Sequence, residues 1–314
     1  MAATTSWNSL NYTGELFLTG AQKKNKPFLS MIGGVNGSVP YGDMRFPVSQ
    51  PWTLSSSSQP AITETASLTA ATPTTYTRGQ DFNTTQIFNE SVSVSYVSLS
   101  QPGRLGAAGL AQVADQPVQS EFDFQLAGAL DQIYNDMNYS FINGAYQLAT
   151  AANVAAKTRG IIAATSTNAV AAGSVDLSSD LMDELFRTMA AGGAQFMQPV
   201  IFASALDVQR INNIYGFQPQ DVNVGGTNVT QIIAPFVGRV GVIWDVDVPA
   251  GTIVCVDMAV CSPVHNVIEG KGEGLFMEDL AKTGASEAAN LYGQFGLNCG
   301  EETYHGKITG LTTS

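Results

Sequence analysis

The chain has 314 residues, of which 44% are hydrophobic and only 13% charged, and its net charge is −12. That length supplies one large or two ordinary domains with ample core, while the acidic balance excludes a nucleic-acid reader that grips its target through a basic stripe. The charged share is about half the usual one, and uncharged Ser, Thr, Asn, Gln and Gly replace it, a composition suited to extended surfaces paired with protein neighbours.

Residues 1–45 read as an arm punctuated by Gly and Asn. Its apolar anchors, Leu16-Phe17-Leu18 and Phe28, Leu29, Met31 and Ile32, are separated by Gly20 and the cluster Lys23, Lys24, Lys26. Too little apolar material is present for an independent core, so the arm is expected to lie on its own body or on a neighbour. From Phe46 the pattern turns to β. Trp52 and Leu54 belong to a first run, Ser55 to Pro60 mark a loop tip, and Val92, Val94 and Tyr96 alternate with serines at a period of two. Lysine is absent from Phe46 to Gln119 and large residues are few. This segment is expected to be a long hairpin projecting from the body.

The longest helix signal runs from Ser120 to about Leu148. Phe122, Leu126, Leu130, Ile133, Met137, Phe141 and Ala145 recur in steps of three and four and lay one apolar stripe on a helix of period 3.6. Asp123, Asp131, Gln132, Asp136 and Asn138 fall mainly on other faces and are expected to stay solvated. Ser120 with Asp123 reads as a capping box, and the helix would span roughly 40 Å at about 1.5 Å per residue. A helix of that length with one stripe is a strut along which other elements must lie.

Ala149 to Ala156 is expected to continue as a weak helix. A second amphipathic helix, Ser179 to Ala191, is capped by Ser178 or Ser179, and a third, capped by Ser204 and stopped by Gly216, follows the buried strand Pro199-Val-Ile-Phe202. Strands return at Val229–Ala234, Val240–Trp244 and Ile253–Val260, with Pro249-Ala-Gly251 as a turn. Glu269 to Ala289 reads as loop and then weak helix. Phe295–Cys299, Thr303–His305 and Lys307–Leu311 read as closing strands.

Convergent chemistry is scarce. Cys255, Cys261 and Cys299 are too few and scattered for a disulfide framework, and Cys255 lies in an apolar run where a buried thiol is expected. His265 and His305 lack ligands at metal spacing, and His265 reads as a surface side chain. Asp245 and Asp247 flank Val246 as a carboxylate pair that acid–base work could use, but a solvated strand end is the better reading. Glu301-Glu302 reads as an exposed pair. Gly270-Lys-Gly-Glu-Gly274 lacks the pattern of a phosphate loop. Met1 to Gly14 has no signal-peptide character, and no apolar run reaches the ~20 residues of a membrane span. A chain this long without a polar site points to a structural protein.

The order of elements, together with Leu18-Thr-Gly20, Gln86-Ile-Phe88, Ser120 to Gln125, Pro249-Ala-Gly-Thr252 and His305-Gly-Lys-Ile-Thr-Gly-Leu311, resembles the major capsid proteins of tailed bacteriophages. These have the α+β Hong Kong ninety-seven fold. The resemblance divides the chain into an N-terminal arm at 1–45, an extended loop at 46–117, the spine helix and start of a peripheral domain at 118–154, an axial domain at 155–262 and a return to the peripheral domain at 263–314. It implies assembly of hexamers and pentamers into an icosahedral shell in the virion, built in the host cytoplasm, with DNA enclosed but not read, no cofactor and no membrane. A separate scaffolding protein, a portal and a decoration protein are the implied partners. The loop has no lysine for the isopeptide cross-links of some relatives. Trp52, Leu54, Val94 and Tyr96, with Phe17 and Phe28 of the arm, are the expected inter-subunit contacts, the first four against the spine of an adjacent subunit. An encapsulin-like compartment is the alternative of the same fold. A β-rich hydrolase using Asp245, Asp247 or His305 and a phage tail or decoration protein are the readings from other classes.

Overall fold

The apolar stripe beginning at Phe122 closes one helix, α2 (Glu121–Asn143), and the described segments 27–31, 86–95, 161–164 and 286–298 pack against it. The computed structural model describes residues 26–54, 57–99, 121–216, 222–224, 227–271, 274–281 and 284–313. Ile133, Met137 and Phe141 are buried as the stripe requires, whereas Phe122 and Leu126 are half-buried. The helix stops five residues before Leu148. The Gly144 N–H bonds the Ser140 carbonyl, and a Cβ at position 144 would stand 2.3 Å from that oxygen and 2.4 Å from the Thr158 oxygen. So close an approach doubles the chain back. Gln147 bridges to Lys157, and 149–156 is a turn-rich loop in place of the expected helix. Asn138 is a second correction, because it is fully buried. The helix is covered on more than one side, and its polar residue faces the covered flank.

Ahead of α2 come helix α1 (Pro27–Met31) and strands β1 (Val39–Tyr41), β2 (Arg45–Ser49), β3 (Asp81–Thr84) and β4 (Gln86–Ser95). After it come β5 (Ala169–Ala171), α3 (Ser179–Ala191), β6 (Pro199–Ala203), α4 (Ala205–Tyr215), β7 (Val222–Val224), β8 (Thr227–Ala234), β9 (Gly238–Trp244), β10 (Ile253–Asp257), β11 (Ser262–Asn266), β12 (Phe276–Asp279), β13 (Ser286–Asn298) and β14 (Gly306–Thr309). The Ser178 and Ser204 hydroxyls accept the Leu181 and Asp207 amides and so cap α3 and α4.

Two sheets carry the body. In the first, β13 pairs with β4 along one edge and with β11 and β12 along the other, and β1 lies parallel to β11. Helix α2 packs across β4 and β13. The second sheet runs β5-β14-β10-β6-β9-β8-β7, with α3 against its β5–β14 end and α4 against β6 and β9. One core joins α1, α2 and the first sheet to one face of the second, and another fills the space between the second sheet and α3 and α4.

Three sequence expectations change here. The loop and weak helix expected at 269–289 is strand β12 and the start of β13. Helix propensity in the Ser286-Glu-Ala-Ala289 stretch yields to a ten-residue ladder with β4. In the closing segment β14 inserts between β5 and β10 of the second sheet, and Thr303–His305 is mostly a single 3-10 turn rather than the strand expected. The hairpin is also shorter than expected. Its base is the β2–β3 pair and the Trp52–Arg78 bridge, but Val92 and Val94 sit on β4, which belongs to the body.

Candidate assembly surfaces

Described residues from 50 to 80 are exposed throughout. They include Trp52 (59% exposed), Leu54 (66%), Ile62, Leu68 and Tyr76. Among its described residues the Trp52–Arg78 bridge, with the Gly79 N–H to Pro51 carbonyl bond at 2.7 Å, and the one-turn helix Glu64–Ser67, capped by Thr63, give this stretch its internal order. A chain that presents several large apolar side chains on a segment with no core of its own is built to be covered.

The expected contact residues divide. Trp52, Leu54 and Tyr96 lie at the surface, Tyr96 in the one-turn helix that follows β4 and not in the strand itself. Phe28 and Val94 do not, and their expected role against a neighbour is corrected. Phe28 is fully buried and meets the edge of the Phe202 ring at a centroid distance of 5.2 Å. Val94 is 5% exposed, on the face of β4 that is covered by the body. Phe17 lies outside the described residues, as do Leu16, Leu18, Lys23, Lys24 and Ser120.

Beside the hairpin base, β4 and α2 frame an open groove of about 270 Å³ lined by Ile87, Phe88, Glu90, Ile133, Asp136 and Tyr139. Sequence reasoning missed it. The signal was present: strand alternation turns Ile87 away from buried Phe88, and Tyr139 falls off the helix stripe, so both place apolar surface where polar residues belong. Exposed Ile233 and Phe236 make a second apolar point at the β8–β9 turn, where Phe236 adopts a positive φ of 54°.

The residues considered for chemistry are structural. His305 is fully buried: its Nε2 meets the Cys299 carbonyl at 2.6 Å and its Nδ1 accepts the Asp257 N–H at 3.2 Å, with burial holding its pKa below the usual value. His265 is also buried, with Nδ1 at 2.8 Å from the Ser38 hydroxyl. His265 is therefore not the surface side chain expected. Asp245 is 1% exposed, so the solvated strand end is corrected as well; the pair is tied to Asn138 inside the body. Glu302 is half-buried and accepts the Ser166 amide and the Ser166 and Thr167 hydroxyls, which hold its carboxyl below the ordinary value against the opposing effect of burial. All three cysteines are buried and unpaired, and burial pushes the Cys255 thiol up to about 12 and Cys299 to about 11. Among the described residues no group of three His, Cys, Asp or Glu stands together to hold a metal ion, and no helix is long and apolar enough to cross a membrane.

A body of two sheets strung on one long helix, with a bare projecting hairpin, is the architecture of phage shell subunits, and solved structures match it over nearly the whole chain. A cyanophage A-1(L) capsid chain matches with a TM-score of 0.64 at 12% identity, covering 96% of this chain and 96% of that one. The SrpI encapsulin of Synechococcus elongatus matches with a TM-score of 0.62 at 11% identity, over 100% and 98%. The capsid chain of the myovirus XM1 gives 0.55 at 13% identity, over 99% of each. The fold is therefore the α+β Hong Kong ninety-seven-like capsid fold. No curated protein sequence matches the chain. Residues 1–312 match the family described as SU10 major capsid protein, and the chain belongs to that family. Its role is that of a major capsid protein, a structural component of a bacteriophage virion.

Proposed function

We propose that the chain assembles as hexamers and pentamers into a closed icosahedral shell around double-stranded DNA. In this reading residues 1–45 act as the arm, the hairpin from 46 onward as the extended loop, and the first and second sheets as the centres of the peripheral and axial domains. The observation that carries it is the bare hairpin. Trp52 and Leu54 stay 59% and 66% exposed in the single subunit, and interlocking extended segments around a symmetry axis would supply interfaces of obligate size.

The groove between β4 and α2 of an adjacent copy is the proposed seat. Arg78, paired across the hairpin with Trp52, is the one cation between Phe46 and Gly79, and the groove carries Glu90 and Asp136. An aromatic ring beside a guanidinium fits a cleft with apolar walls and two carboxylates. A scaffolding protein and a portal would direct closure, a decoration protein could add to the outer face, assembly would take place in the host cytoplasm, and the net charge of −12 suits a shell past which DNA slides. The hairpin lacks lysine, so a cross-link from a lysine there has no donor.

Negative-stain electron microscopy of the purified chain, alone and co-expressed with its scaffolding protein, tests this. Closed shells, tubes or capsomers are expected. A chain that remains monomeric under both conditions and in crowded, high-salt buffer contradicts it. The similarity to an encapsulin supports a second reading, a compartment holding protein cargo, and the shell contents decide: DNA favours the phage shell and an enzyme favours the compartment.

A further inference from the structure

Three segments far apart in sequence meet at one buried amide. Asn138 of α2 donates through Nδ2 to both Asp245 oxygens at 3.3 Å and to Asp247 Oδ2 at 2.6 Å, and its Oδ1 accepts the Leu29 N–H at 3.1 Å. Asp245 Oδ1 also accepts the Asp247 N–H at 3.0 Å, and the Phe28 N–H bonds the same carboxylate. The first turn of α1, the C-terminal part of α2 and the chain leaving β9 are therefore fastened at one point. Asn143 adds a bond from its Nδ2 to the Asp247 carbonyl at 2.6 Å.

The charge balance of this node is uneven. Two carboxylates share one neutral side-chain donor, and among the described residues no ion pair reaches either. From the α1 side the facing cation is Lys26, whose Nζ pairs with Asp131 at 3.1 Å and stands 5.7 Å from the Tyr134 ring, both on α2. Lys26 acts on Asp247 at a distance. From β6 the node meets only a backbone carbonyl, that of Ala203, which accepts the Asp245 N–H. Burial raises both carboxyls; Asp245 reaches about 6, with Asp247 beside it adding to the rise and the bonds from Asp247 N–H, Asn138 and Phe28 N–H working against it.

We propose that Asp245, Asp247 and Asn138 form a proton-operated clasp that fastens residues 26–32 to α2 and to the end of β9. With one proton on the carboxyl pair, one of two competing acceptors becomes a donor and the buried charge is halved, so the clasp is closed. With both ionised, two buried negative charges compete for one amide and the clasp loosens. The sign follows from linkage. The Asp245 carboxyl sits at about 6 when closed against an ordinary 3.8 when exposed, so its contribution is full below the lower value and lost as pH rises through the upper one. The closing constant falls by about tenfold per pH unit between those values and is flat above them. The clasp lies within one subunit, so it stands or falls independently of the hairpin's docking.

Amide hydrogen exchange of the peptide containing Phe28 and Leu29, in the full unassembled chain and corrected for intrinsic pH dependence, reads the clasp directly. Protection is expected to drop by about thirtyfold between about pH 4.5 and 7.5, with the change complete near pH 6. Asp245→Asn, which keeps the shape and removes the more strongly raised carboxyl, should leave only the smaller step that Asp247 supplies. Asp247→Asn keeps the titrating group and should retain the step with its midpoint lowered. A flat wild-type profile overturns the proposal without reference to any variant. So does a step that survives at full size in Asp245→Asn or vanishes in Asp247→Asn.

Discussion

Phe141 on α2 and Trp52 on the hairpin are aromatic side chains of one subunit with opposite fates: the first is wholly buried and the second 59% exposed. The difference extends to their surroundings. Phe141 stands in a core that draws on α1, α2 and both sheets, whereas the hairpin around Trp52 is held by the short β2–β3 pair and one bridge. The body is finished by its own contacts. The hairpin is not: its apolar residues are exposed, and in the proposed shell they gain their burial from another molecule. Subunit stability and shell formation should therefore respond to separate sets of substitutions.

The largest effect on the subunit is expected in the body. Phe141→Ala removes a fully buried ring and should cost about 3–5 kcal/mol, read as a lowered urea midpoint of the unassembled chain. Gly144→Ala forces a Cβ against the Ser140 and Thr158 oxygens at the point where the chain doubles back. About 1–3 kcal/mol is expected by the same measurement. Asn138→Ala strips the buried carboxylates of their shared donor and should cost about 1–3 kcal/mol. That loss should be greater at pH 8 than at pH 5, because Asp245, raised to about 6, is neutral at the lower pH and has less charge to satisfy.

His305 gives the opposite pH sign. Its pKa is lowered by burial, and its Nδ1 must stay unprotonated to accept the Asp257 N–H. The stability it contributes is present above the ordinary histidine value of about 6.5 and is lost as pH falls below it. Thermal unfolding of the wild type should show this acid slope, and His305→Gln, which keeps one acceptor and one donor, should flatten it. Because this slope opposes that of Asp245, global unfolding blends the two, and only a local probe at Phe28 and Leu29 separates them. The smallest effect on the subunit is expected from Trp52→Ala, within about 0.5 kcal/mol.

The legible parts of the fold are those whose signals are local. The stripe from Ile133 to Phe141, the Ser178 and Ser204 caps and the Pro249-Ala-Gly251 turn each lie within a few residues of what they determine. What escaped depends on distant partners. Ser286 to Ala289 becomes strand because β4 lies beside it across some two hundred residues of sequence, and β14 finds its partners in a gap between β5 and β10. The site followed the same division. Trp52 and Leu54 stand out as large residues in a polar hairpin, but Phe28 and Val94 look equally apolar in sequence, and only the fold shows that their own body covers them. Asn138 and Asp245 read as ordinary polar residues until three segments converge on them.

The separation of a self-sufficient body from a dependent hairpin is tested most directly by sedimentation velocity of Trp52→Ala beside the wild type, with the urea midpoint of each measured on unassembled chain. The expected result is an unchanged midpoint with large assemblies lost or sharply reduced. A variant that forms shells as the wild type does, or one whose subunit unfolds earlier, would contradict it.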